Sequence, residues 1–282
     1  MKKLLLFFLF LPSYVIACDC EQPLVALDFV RSEFVFWGTV VDKEYARDSQ
    51  TYTVTFDVER HFKYNEIQPK TLKFTEQSEG EITGYGTSCD YSVSKGEKWL
   101  IYAYKYNDEL FFGYPCSNSN RYNQLSDVNA EELEILENGN KIDLQKIDFS
   151  YTVIGGLSRE FERATSENSI NSLLAQLNPG YYRFEDDPFF ESVAIRVDST
   201  GILTDVMITD WMLVETKKLY GIPIYEYGKQ SEPLSKVQED ILFNLKQSKK
   251  WQPARFSGVN VNSWVYLKVR IEKGKKPYAT NY

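Results

Sequence analysis

Apolar and polar residues alternate with a period of two over several short stretches in the first half of the chain. Thr51-Tyr52-Thr53-Val54-Thr55-Phe56-Asp57-Val58 sets Tyr52, Val54, Phe56 and Val58 on one face, the pattern of a half-buried strand. Residues 34–41, with one glycine at Gly38, and residues 71–75, 99–104 and 110–114 read as four further strands. The turn residues Ser94-Lys95-Gly96-Glu97 lead into the fourth of the five. Five short strands separated by turns predict a small closed β-barrel. Residues 130–136 then carry a helical pattern with Asp127 or Asn129 as the N-cap. The polar, turn-rich segment Glu137-Asn138-Gly139-Asn140-Lys141 marks a boundary at about residue 140.

The stretch 141–180 is mixed and reads as a connector, partly helical over residues 169–177. From about residue 181 the pattern changes. Residues 193–197 and 202–208 flank Asp198-Ser199-Thr200-Gly201, a hairpin with glycine at hand for a positive-φ turn position. A helix follows over residues 235–249. Val237, Ile241 and Leu245 form its apolar stripe, Leu234 and Leu242 lie beside it, and Ser235 with Gln238 form a capping pair. After Trp251-Gln252-Pro253-Ala254 comes a last strand, 263–272, in which Trp264, Tyr266 and Lys268 alternate with Val265, Leu267 and Val269. Pro253 holds Gln252 extended, as a helix-to-strand junction needs. Strand, strand, helix and strand make a small α+β domain (β-β-α-β) over 181–282.

The first residues are of another kind. Lys2 and Lys3 precede an apolar stretch running to Ala17-Cys18. It is too short to span a bilayer, so residues 1–17 are expected to be a signal peptide. No later stretch has the length and apolarity of a membrane span. Export places the chain in an oxidising compartment, secreted or periplasmic. There the four cysteines, Cys18, Cys20, Cys89 and Cys116, are expected to form two disulfides. A Cys18–Cys20 bond would close a strained, tiny loop, which leaves two pairings open. The spacing is not that of a zinc ribbon. Without the two signal lysines, 30 basic residues face 40 acidic ones, about −10 in net charge. Such a chain repels phosphates, so nucleic acid is not an expected partner.

Within residues 18–137 the chain resembles the netrin-like module of the tissue inhibitors of metalloproteinases. The likeness rests on Cys18-Asp19-Cys20, on Phe36-Trp37-Gly38-Thr39-Val40, and on Thr87-Ser88-Cys89 followed by Gly96-Glu97-Lys98-Trp99-Leu100-Ile101 and Cys116. It implies an all-β barrel of the oligonucleotide/oligosaccharide-binding (OB) type with a flanking helix over 18–140, and the pairings Cys18–Cys89 and Cys20–Cys116. The family's third cysteine pair and its own C-terminal domain are missing here. Residues 182–273 resemble the C-terminal domain of the TonB family, in which a helix leads to W-x-P-A, a glycine and a strand. Here these are Trp251-Gln252-Pro253-Ala254, Gly258 and residues 265–271, with an insertion around 217–230. The membrane helix and proline-rich spacer of TonB itself are absent from this sequence. What the likeness implies is a module that pairs a sheet edge with a peptide by strand addition.

Catalytic chemistry leaves little trace. His61 is the one histidine, without a nucleophile motif beside it, and reads as a surface or strand-end residue. Glu131-Glu132 and Glu185-Asp186-Asp187 lack the ligand offsets and glycine turn of a calcium loop. The carboxylates are too numerous for one acid–base pair to stand out. We therefore expect no enzyme, no cofactor and no resident metal, but an exported binding protein of a bacterial envelope or extracellular space, with a protein or peptide partner. The alternative is a metalloprotease inhibitor. In the resembling family the α-amine and carbonyl of the first cysteine chelate the protease zinc, a role that would fall to Cys18 once cleavage frees it. Asp19, in the position that enters the protease pocket, opposes this because its charge would be desolvated. Val15-Ile16-Ala17-Cys18 also reads as a lipobox. A lipoprotein anchored through Cys18 would keep three cysteines, and parity favours the disulfide.

Overall fold

The apolar run from residue 34 becomes strand β1 (Phe34–Tyr45), and the alternation after it becomes β2 (Thr51–His61), with Tyr52, Val54 and Phe56 buried. The structure is a computed structural model describing residues 21–64, 66–84, 86, 90–114, 116–150, 160–182, 188–229 and 233–281. It is mostly β, and its contacts gather into two units. One is Glu33–Asp127; the other joins Gln22–Ser32 to Val128–Tyr282.

In the first unit, β3 (Thr71–Gln77), β4 (Lys98–Tyr106), β5 (Glu109–Phe111) and β6 (Asn120–Tyr122) complete a six-stranded sheet. Its order is β3-β2-β1-β4-β5, with β6 also on β4, and every pair is antiparallel. Register shifts in β1 at Trp37/Gly38 and Val40/Asp42 bend the strand. Gly38 allows the first, since a Cβ there would meet the Asp57 carbonyl oxygen at 2.6 Å. The sheet curls around Phe36, Phe56, Phe74, Trp99, Ile101 and Phe112.

The expected closed barrel is a curled half-barrel. The strand expected over 110–114 ends at Phe111, because the chain turns at Gly113 with φ +54°. β5 is therefore too short to form a ladder with β3. Side chains span the gap instead, with the Phe74 and Phe112 rings edge to face at 5.3 Å between centroids.

The second unit is built on β15 (Val259–Ile271). Before it in the chain come β7 (Asp148–Phe149), β8 (Phe161–Glu162), β9 (Thr165–Ser166), β10 (Phe189–Val197), β11 (Leu203–Leu219), β12 (Ile222–Lys229), β13 (Trp251–Gln252) and β14 (Ala254–Phe256); β16 (Tyr278–Asn281) follows it. The main sheet runs β12-β11-β10-β15-β14-β8, and β7 and β16 also pair with β15. Val265, Leu267, Val269 and Ile271 point to the core, as the alternation requires.

The helix Lys236–Leu245 lays Val237, Ile241 and Leu245 on that core. Ser235 and Gln238 form the expected capping box. The helix stops at Leu245, short of 249. Gln247 and Ser248 bond back to Asn244 and Leu245 in tight turns, and the Ser248 carbonyl accepts the Trp251 indole N–H at 3.0 Å. Asn129 caps the helix Ala130–Asn138, and Ser169 caps Ile170–Leu174. The segment read as a connector supplies Leu144, Ile147, Phe149, Ala164, Leu174 and Leu177 to this core. Residues 217–229 lie in the β11–β12 hairpin, which turns at Tyr220 and Gly221, both at positive φ.

Candidate functional site

At the rim of the first unit lies a depression of about 700 Å³ whose lining includes Tyr45, Glu79, Glu81, Asp90, Tyr91 and Ser92. Lys43 pairs with Glu79 at 2.5 Å, and its ammonium sits 4.0 Å from the centroid of the Tyr52 ring. Tyr45 and Ser92 also donate to Glu79, at 3.0 and 2.6 Å. Burial pushes Glu79 up, but these donors outweigh it and hold the carboxyl at about 2. Glu76 is shifted the other way, raised by burial against the opposing bond from Tyr91 at 2.7 Å. Opposite shifts on two carboxylates are what an acid–base pair needs. Here, however, the donors to Glu79 are the protein's own side chains, and they brace β1 against the end of β3.

The second place is an edge of β15. Along one edge, Ser263 to Ile271 pair with β10. Along the other, β7 pairs in parallel at Asn262 and Ser263, and the chain's own tail, β16, pairs antiparallel from Leu267 to Arg270. Between these two, no described strand pairs with Trp264 or Val265 on that edge.

The tail is lightly held. Val269 lies opposite Ala279, whose N–H points away from β15 and is accepted by Asn171 Oδ1 at 2.7 Å. By the alternation of antiparallel pairing, Lys268 with Thr280 and Arg270 with Tyr278 are then the hydrogen-bonded pairs. Among the described side chains of the tail, Ala279 packs partly against the core, and Pro277, just before the tail strand, is buried. The turn before the tail contains Gly274 at φ +76° and is clasped by Glu272, which pairs with both Arg270 and Lys275. The bond from Lys275 and the charge of Arg270 hold the Glu272 carboxyl below its usual range.

On the face away from the core, the ring of Phe190 lies under two cations, Lys268 Nζ at 5.0 Å and Arg270 at 5.4 Å from its centroid. Tyr266 meets Ser192 hydroxyl to hydroxyl at 2.7 Å, and Tyr227 stacks on Tyr266 and stands edge-on to Trp264. Burial, then the neighbouring Tyr266, raises the Tyr227 phenol to about 12.

The residues singled out from sequence are placed as follows. His61 ends β2, half-buried, with its Nε2 2.9 Å from the Pro69 carbonyl oxygen, a structural contact. Glu132 is buried at the start of its helix, its backbone N–H bonded to Asn129 Oδ1. Trp251 is buried on the short strand β13, at the junction between the helix and the last long strand. Cys116, the one cysteine among the described residues, is not a free thiol. Cys18, Cys20, Cys89 and Glu185-Asp186-Asp187 lie outside the described residues. No cluster of three or more metal-ligating side chains occurs among the described residues, and no helix among them is long and apolar enough to cross a membrane. Sequence patterning missed β16; its signal was the Gly274 turn followed by the β-prone pair Tyr278 and Thr280. No family model and no curated protein matches the chain.

Proposed function

We propose that this is an exported, non-enzymatic binding protein whose second unit takes an extended peptide as an added strand on the edge of β15. In this reading the first unit is a netrin-like, OB-type half-barrel tied by Cys18–Cys89 and Cys20–Cys116, and the second is a TonB-C-like module enlarged by the β11–β12 hairpin. The reading rests on one observation: four tail residues pair with a core strand of the sheet through their backbone, and among their described side chains Ala279 alone packs on the core. A segment held that way opens at low cost. The edge it leaves presents unpaired main-chain groups, as strand addition requires.

The test is to truncate the chain after Pro277 and supply residues 277–282 as a separate peptide, with near-ultraviolet circular dichroism confirming that the truncated chain is folded. The peptide should bind saturably. Failure to bind a folded, truncated chain would rule out strand addition at this edge.

A further inference from the structure

The edge that β16 closes carries an unusual charge for this protein. The chain as a whole is acidic, at −8. Residues 268–276 nevertheless hold Lys268, Arg270, Lys273, Lys275 and Lys276 against one acid, Glu272. Lys268 and Arg270 lie two apart on β15, so their side chains share the face away from the core, where Phe190 underlies both. Residues directly opposite on a neighbouring antiparallel strand project from the same face and interact as pairs. Those positions are now filled by Thr280, opposite Lys268, and Tyr278, opposite Arg270. Neither brings a negative charge. Between them Ala279 faces the core side, where room for a small apolar group is already in use.

Building on the strand-addition reading, we infer that the peptide recognised here is acidic, with the pattern acid, small apolar residue, acid. Its carboxylates stand opposite Lys268 and Arg270, and its central residue replaces Ala279. The chain's own tail matches the small central residue and lacks both acids. It therefore keeps the edge closed while remaining weaker than a matched peptide.

The experiment uses the chain truncated after Pro277 and, in parallel, the full chain carrying Thr280→Pro, which removes a tail N–H that pairs with β15. Two labelled peptides are titrated, alike except that alanine is flanked by glutamates in one and by lysines in the other. Two cross-strand charge pairs changed from attraction to repulsion predict about tenfold tighter binding of the acidic peptide at low salt. The gap should narrow at high salt, and Lys268→Glu with Arg270→Glu should reverse it. Equal binding of both peptides, indifferent to salt, would leave strand addition standing and overturn the charge selection. Binding of neither peptide to either protein would overturn both, as would a tail-swapped dimer that excludes them.

Discussion

A methyl group placed on Gly201 would come within 2.3 Å of the Trp251 carbonyl oxygen. The β10–β11 turn is packed directly on the Trp251-Gln252-Pro253-Ala254 segment: Trp251 N–H bonds to the Gly201 carbonyl at 3.1 Å, and Gly201 itself has φ +84°. Both the close approach and the positive φ demand glycine. Gly201→Ala should cost about 2 kcal/mol in urea denaturation. A loss too small to measure would mean the turn and the tryptophan segment are not in contact.

Trp251→Ala removes a buried ring and the indole bond to Ser248. We expect a loss of about 3–5 kcal/mol. A loss below about 1 kcal/mol would place the ring on the surface and make it a candidate for ligand contact.

Glu79 makes the first unit acid-sensitive. Its carboxyl is held at about 2 in the fold, against an ordinary glutamate value of 4.5. A carboxyl depressed by folding contributes stability above its unfolded pKa and loses it as pH falls through the folded one. The contribution should be intact at neutral pH and disappear between about 4.5 and about 2. Glu79→Gln should cost about 1 kcal/mol at pH 7 and nothing at pH 2. Equal effects at both values would contradict an ionised Glu79 held by Lys43.

Cys116 offers a covalent test. The proposed pairing predicts that unreduced peptide maps join Cys20 to Cys116 and Cys18 to Cys89, and that Cys116→Ser costs about 2–5 kcal/mol. A map joining Cys18 to Cys116 would rule it out, and a diacylglyceryl mass on Cys18 would remove the second bond altogether.

Strands were the most legible part of the sequence, because alternation such as Tyr52, Val54, Phe56 and Val265, Leu267, Val269 follows directly from a sheet with one buried face. The Ser235 and Gln238 capping box was legible for a similar reason, since its bonds close within four residues. Barrel closure was not legible. It depends on whether β5 extends past Phe111, which the positive φ of Gly113 prevents. Nor was the packing of Leu27 and Ile135 into one core with Phe149 and Leu267, because no local period records contacts between segments so far apart. The binding edge was legible only as a kind of module. Its location depends on the tail strand, whose few residues carry too short an alternation to read.

Amide hydrogen exchange along β15 in the full chain tests the proposal most directly. The N–H groups of Leu267 and Val269 face β10, whereas those of Lys268 and Arg270 face the tail. If the tail opens while the core sheet holds, Lys268 and Arg270 should exchange roughly a hundredfold faster than Leu267 and Val269, and a bound peptide should slow only the fast pair. Uniform protection across all four amides, unchanged by peptide, would show that β16 is a fixed part of the sheet and that the edge is not a binding site.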